Sequence, residues 1–233
     1  MKKIAVINQK GGSGKTSTAV LLTLSLSAQG RRVLVIDCDP QGGLTAFLVN
    51  DGKERRGLFD LILGEQADPV RIDRGGLVFD LLAADYRLDK IYASMGPYDL
   101  EKHFDKLDYD FIIFDTPPTC GGITRAAAMI ADTVIIPADI SQATIKPTLY
   151  TLSALKEIKK TGKVYIIGKN PDADRRGFIA DTTREFIKAL GASYGGTIPR
   201  GVTIQKIIAD KNGRWTPARI EKKLIPILQG VKL

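Results

Sequence analysis

The stretch Ile4-Ala5-Val6-Ile7-Asn8-Gln9-Lys10-Gly11-Gly12-Ser13-Gly14-Lys15-Thr16-Ser17 decides how the rest of the chain is read. Its four opening apolar residues read as a buried strand, and the apolar run from Lys15 to Gln29, closed by Gly30, reads as a helix. A strand that enters a helix through a glycine-rich loop is the setting a phosphate cradle requires. Glycines let successive backbone N–H groups converge on phosphate oxygens, and the helix N-terminus adds partial positive charge. Lys15 then supplies a full charge to the terminal phosphates. The Thr16 hydroxyl suits Mg²⁺, which takes few protein oxygens beside phosphates and water. Gly11, Gly12, Ser13, Gly14, Lys15, Thr16 and Ser17 are thus the expected nucleotide-binding residues. The usual spacing places a further glycine where this chain has Gln9.

Outward from that stretch, short apolar runs recur at Val33 to Ile36, Leu77 to Leu82, Phe111 to Phe114, Thr133 to Ile136, Val164 to Ile167 and Tyr194 to Ile198. Helical patterns fall between them: Leu58 to Leu63, Leu88 to Phe104, Thr124 to Ala131, Lys146 to Lys160, Gly177 to Leu190 and Pro217 to Leu228. The runs at Val33 and Phe111 are apolar on both faces, as parallel strands covered on each side must be. The expected fold is α/β: a doubly wound, mostly parallel sheet flanked by helices on both faces, as in P-loop NTPases. No repeat, low-complexity tract or Ser/Gly linker interrupts it, so one domain over 1–233 is expected.

Two runs end in acids. Phe111-Ile112-Ile113-Phe114-Asp115-Thr116-Pro117-Pro118 places a carboxylate at the end of a buried strand, which is costly without a cation or hydrogen bonds, so Asp115 points to a metal. The prolines and Gly121-Gly122 make the following loop stiff at one end and permissive at the other. Asp37-Cys38-Asp39-Pro40-Gln41-Gly42 follows the second strand, at the sheet edge where ligands sit in such folds.

Composition narrows the class. With 233 residues and 44% hydrophobic content the chain can bury a sizeable core. No segment approaches the roughly 18 consecutive apolar residues of a membrane span, and the N-terminus does not read as a secretory leader. Cys38 and Cys120 do not form a spaced framework, which points to reduced thiols in a cytoplasmic protein. The formal net charge is +8, unevenly spread. Residues 60–110 hold 6 Lys/Arg against 12 Asp/Glu, whereas Pro199 to Leu233 hold eight basic residues against Asp210 and Glu221. Such asymmetry suggests a surface facing a polyanion.

Lys10-Gly11-Gly12-Ser13-Gly14-Lys15-Thr16 matches the deviant Walker A motif of the ParA/MinD superfamily, and Asp37-Cys38-Asp39-Pro40-Gln41 and the strand ending at Asp115 resemble that family's second nucleotide motif and Walker B. The resemblance runs from Lys2 to about Leu228. It implies an Mg²⁺-dependent ATP hydrolase that forms a homodimer around ATP. Lys10 would then reach the partner's phosphates somewhat as an arginine finger does. Asp39 would position the attacking water near the metal, Asp37 would support the metal's water shell, and Asp115 would hold a metal-bound water. The strand at Val164 to Ile167 and the segment around Pro199 would line the adenine pocket, with Asn170 and Pro199 as contacts. Here Gly168-Lys169-Asn170-Pro171 departs from the family's run.

Within the superfamily the chain resembles ParA partition ATPases most. These bind nonspecific DNA as ATP dimers and are stimulated by a ParB-type centromere-binding adaptor, which implies a cytoplasmic, nucleoid-associated protein. Arg175, Arg176, Arg200, Lys206, Lys211, Arg214, Arg219, Lys222 and Lys223 are the candidate DNA contacts, acting on phosphates rather than bases. The catalytic pattern starts at residue 2, so no N-terminal helix-turn-helix extension is expected. Two other readings stand beside this one. A MinD-like membrane ATPase is suggested by the basic, apolar stretch Arg219 to Leu228, although Pro226 interrupts it. A redox protein of the nitrogenase iron-protein type is suggested by Cys120-Gly121-Gly122, although Cys38 is poorly placed as a second Fe–S ligand.

Overall fold

A computed structural model describes residues 1–49, 51–104, 107–138, 145–158, 162–168, 188, 191–197 and 231. Strands β1 (Lys2–Val6), β2 (Val33–Asp37), β3 (Val70–Arg74), β4 (Leu77–Leu82), β5 (Phe111–Asp115), β6 (Thr133–Ala138), β7 (Lys163–Gly168) and β8 (Ser193–Thr197) form one sheet in the order β3-β4-β2-β5-β1-β6-β7-β8. Every described pairing is parallel except β3 with β4. The helices are α1 (Lys15–Ala28), α2 (Gly43–Leu48), α3 (Leu58–Ile62), α4 (Pro97–Phe104), α5 (Gly122–Ile130) and α6 (Ile145–Glu157).

The two-residue period of each strand divides its side chains between two cores. Ile4, Val6, Val33, Val35, Ile113 and Ile135 face one way and pack with Ala19, Leu22 and Leu26 of α1. Ala5, Leu34, Ile36, Ile112, Phe114 and Ile136 face the other way and meet Phe104 of α4, Ala127 of α5 and Leu152 of α6. Phe104 and Phe114 meet edge to face at 5.4 Å between centroids. Filling this layer from both sides requires apolar residues at every central-strand position, which is why Val33–Asp37 is buried throughout.

Two elements escaped the sequence pattern and one was drawn too long. β3 is a short edge strand with a single buried residue, Ile72, and charged neighbours Arg71, Asp73 and Arg74. It joins β4 through Gly75-Gly76, whose φ values of 63° and 88° give the left-handed pair a two-residue hairpin turn needs. α2 is a single short helix whose N-cap residue, Gly42, has no side chain to cap it. The helix expected from Leu88 to Phe104 is two pieces, a 3₁₀ turn at Tyr86–Lys90 and α4 from Pro97. Pro97 begins α4 where its missing N–H costs nothing, and the Asp99 carboxylate accepts from the Gly96 N–H at 2.9 Å. Between the pieces the Tyr92 carbonyl is taken by the N–H of Ile123 at 2.8 Å, a tertiary bond that a continuous helix could not make.

Candidate functional site

The site lies where three central strands end side by side. Val6 of β1 is level with Asp115 of β5, and Asp115 is level with Asp37 of β2. The Thr116 hydroxyl donates to the Val6 carbonyl at 2.8 Å and ties the end of β5 to β1.

The loop after β1 is anchored before it turns. Buried Asn8 donates its Nδ2 to the Pro137 carbonyl of β6 at 2.8 Å and accepts from the Lys10 N–H at 2.9 Å. Gln9 donates its N–H to Thr151 Oγ1 at 3.3 Å and its Nε2 to Cys120 Sγ at 2.8 Å. Gly12 and Gly14 then take left-handed φ values of 68° and 93°, which a β-carbon would strain. Gly14 caps α1, and no side chain occupies that helix N-terminus, which leaves its N–H groups for an anion. Ser13 is buried, with an Oγ that has no partner among the described residues, while Ser17 is exposed and Lys10 half-buried.

Behind the loop three charges converge. Lys15 is 7% exposed, and burial lowers its pKa against the opposing attraction of Asp115 and Asp39. Asp115 is pushed up to about 8 by burial and by the charge of Asp37, with the Thr16 hydroxyl bond and Lys15 pulling the other way. Its Oδ1 is buried without a hydrogen-bond partner among the described residues. A carboxylate oxygen left open beside a hydroxyl and behind an anion cradle is the donor set Mg²⁺ takes, and the residues fit that ion. Among the described residues no three His, Cys, Asp or Glu side chains form a cage that would hold a metal without help from phosphate.

Asp37 and Asp39 do different work. Asp37 is fully buried; its Oδ1 accepts from the Asp39 N–H at 3.1 Å, and its Oδ2 accepts from the N–H and hydroxyl of Thr45, both at 2.8 Å. Burial raises it to about 6 despite those bonds, and the charge of Asp39 adds to the rise. Asp37 therefore shapes the Asp39 loop and the start of α2. Asp39 is half-buried, its Oδ1 accepts from the Gln41 N–H at 3.0 Å, and its charge is felt by Lys15. Cys38 points into the core, where burial and the neighbouring aspartates raise its thiol well above its usual range. A buried thiol of that kind is a core residue and not a cluster ligand.

The structure thus brings together Gly11, Gly12, Ser13, Gly14, Lys15, Thr16, Asp37, Asp39 and Asp115, all singled out from sequence. Asn170, Pro199, Arg175, Arg176, Arg200, Lys206, Lys211, Arg214, Arg219, Lys222 and Lys223 lie outside the described residues. Asn8, Gln9, Thr45 and Thr151 were not foreseen, and Cys120 was singled out only as a possible cluster ligand. Thr45 lies eight residues from Asp37 and Asn8 two from Lys10, whereas the bonds of Gln9 to Cys120 and Thr151 span more than a hundred residues.

A family described as an AAA domain matches residues 1–166. The chain is 28% identical to the chromosome partitioning protein ParA of Caulobacter vibrioides, over 88% of this chain and 83% of that one. It is 32% identical to the sporulation initiation inhibitor protein Soj of Bacillus subtilis, over 74% of this chain and 68% of that one. The chain belongs to the ParA/Soj family of P-loop ATPases. Another relative, the maintenance of carboxysome distribution protein A of Synechococcus elongatus, is 31% identical to this ParA/Soj-family chain over 75% of it and 73% of the relative. Among solved structures, a cobyrinic acid a,c-diamide synthase from Mycobacterium smegmatis with bound ADP and magnesium superimposes with a TM-score of 0.65 at 28% identity, covering 78% of this chain and 82% of that one. Among the described residues no helix is long and apolar enough to cross a membrane.

Proposed function

We propose that this chain is a DNA partition ATPase: it binds Mg-ATP, closes into a homodimer, binds nonspecific DNA in that state, and hydrolyses ATP when a ParB-type adaptor stimulates it. The observation that carries the reading is the open Oδ1 of Asp115 beside Thr16 and Lys15, behind a loop that also bears Lys10. The backbone N–H groups of Gly11 to Ser17 and the Lys15 ammonium hold the phosphates. Thr16 would hold Mg²⁺, Asp115 would hold a metal-bound water, and Asp37 would support the water shell, with Asp39 near the ion. The ion supplies charge neutralisation as the terminal phosphate leaves. Asp39 orients the attacking water, and Lys10 stabilises the leaving charge on the partner's nucleotide, as a trans-acting cation can. Asn170 and Pro199 contact adenine, and Arg175, Arg176, Arg200, Lys206, Lys211, Arg214, Arg219, Lys222 and Lys223 meet DNA phosphates. The protein acts as one domain in the cytoplasm, on the nucleoid.

The test is binding of the purified protein to nonspecific duplex DNA and, in parallel, to anionic liposomes, each with ATP, ADP or no nucleotide. DNA binding that requires ATP and weakens steeply with salt is expected. Equal DNA binding with ADP contradicts nucleotide gating, and ATP-dependent liposome binding without DNA binding replaces this reading with a membrane-positioning one. Asp39→Ala is expected to retain ATP while hydrolysis stalls, which a radiolabelled phosphate-release assay reads directly.

A further inference from the structure

The loop carrying Lys10 is held by contacts that phosphate binding does not use. Gln9, immediately before Lys10, is gripped from two sides. Its backbone N–H reaches Thr151 of α6, whose own hydroxyl donates to the Pro147 carbonyl at 2.9 Å and is thereby fixed in direction. Its side-chain amide reaches Cys120 Sγ at 2.8 Å. Cys120 lies in the loop that leaves β5 at Asp115 and enters α5 at Gly122. β1 and β5 are paired neighbours, so the Gln9–Cys120 bond bridges the loops that leave two adjacent strands, one bearing Lys10 and the other starting at Asp115. Asn8 meanwhile holds the Lys10 N–H from the β6 side. The Lys10 backbone is thus a short lever whose setting depends on where Gln9 is held.

We propose that Gln9 and Cys120 form a latch that sets the Lys10 side chain according to the position of the β5–α5 loop, which makes both of them positioning residues for hydrolysis. This rests on the reading of Lys10 as the trans-acting lysine. A thiol suits the task because sulfur is a weak acceptor, so the bond orders the loop without locking it. Burial keeps the Cys120 thiol above its usual range against the lowering effect of the Gln9 bond, so it remains S–H at neutral pH. When the β5–α5 loop shifts, the amide of Gln9 loses its acceptor while Thr151 still holds the backbone. The change is then delivered to the next residue, Lys10.

The experiment is single-turnover and steady-state hydrolysis of Mg-ATP, with nonspecific duplex DNA present, by the full chain and by Gln9→Ala, Cys120→Ala, Cys120→Ser, the Gln9→Ala/Cys120→Ala double variant and Lys10→Ala. Each single alanine variant is expected to lower kcat about threefold to tenfold with KM unchanged, the scale of one lost hydrogen bond. Cys120→Ser, which keeps an acceptor, should recover most of the loss. The double variant should be no slower than the slower single, because the two residues act as one unit. Multiplied effects in the double variant, a Cys120→Ser as slow as Cys120→Ala, or a KM that rises with the fall in kcat would overturn the latch. Lys10→Ala separates the two levels: full activity there removes the trans-acting role and the latch together, whereas slow Lys10→Ala with unimpaired latch variants removes the latch alone.

Discussion

Asp60 and Asp115 are almost equally buried, at 3% and 2% exposed, and their surroundings are opposite. Asp60, on α3 beside the end of β4, has both oxygens engaged. Arg87 donates to Oδ1 at 2.9 Å and to Oδ2 at 2.8 Å, and the Gly57 N–H adds a third bond at 2.8 Å. The same guanidinium binds Asp85 and lies over the Phe59 ring at 4.8 Å. Asp115, at the centre, has an oxygen with no hydrogen-bond partner among the described residues. One region completes its electrostatics from within the chain and so contributes stability. The other leaves a buried oxygen with its bonding unfilled, and the missing partner has to come from outside. A buried carboxylate by itself says nothing of function; its unmet bonds do.

That contrast can be broken or sharpened by four measurements. Lys15→Ala should reduce Mg-ATP affinity by about two to three orders of magnitude, read by titration calorimetry, because the central cation faces the phosphates directly. Arg87→Met, by contrast, should leave ATP affinity unchanged and cost about 3 kcal/mol of folding stability, since it strands the buried Asp60. A urea midpoint that barely moves would show the Asp60 cluster to be ornamental. Asp115→Asn should raise the melting temperature of the nucleotide-free protein, by about 1 kcal/mol of stability, while abolishing the stabilisation that Mg-ATP confers. Asp60→Asn should lower that melting temperature. If both substitutions shift it in the same direction, the two carboxylates are not opposites.

The smallest effect concerns pH. Burial works to raise Asp85, but the hydrogen bonds from Arg87 outweigh it and hold its carboxyl below the usual range. A depressed carboxyl contributes stability that is present above the unfolded value of about 4 and is lost as pH falls through the lower folded value. Asp85→Asn should therefore flatten the acid limb of a stability curve between about pH 4 and 2. The change should be less than about 1 kcal/mol, since solvent screens this half-exposed pair.

The sheet was readable because its strands carry long apolar runs that only a doubly covered parallel sheet can bury, as at Val33–Asp37 and Phe111–Asp115. β3 was not, because an edge strand with one buried residue keeps too little of the alternating pattern. The break before Pro97 was signalled by Gly96-Pro97 itself, yet apolar spacing on both sides of it mimicked one helix. The site divides in the same way. Lys15, Thr16, Asp39 and Asp115 announce themselves through the elements they begin or end. Asn8, Gln9 and Cys120 act through partners brought near only by folding: Asn8 with Pro137, Gln9 with Cys120 and Thr151. Local sequence carries no trace of a bond made across so many residues.

The strand order bears on synthesis as well. β1 precedes both of its neighbours along the chain: Lys2 pairs with Phe111 and Ile4 with Thr133, so each neighbour is translated well after it. The strand that launches the phosphate loop must wait, apolar and unpaired, until β5 has been made. The β3–β4 hairpin, with Arg74 opposite Leu77, can close as soon as it emerges. A nascent chain stalled before β5 would present the nucleotide loop on a strand with nothing to lie against, which makes that interval the natural point for a chaperone to engage.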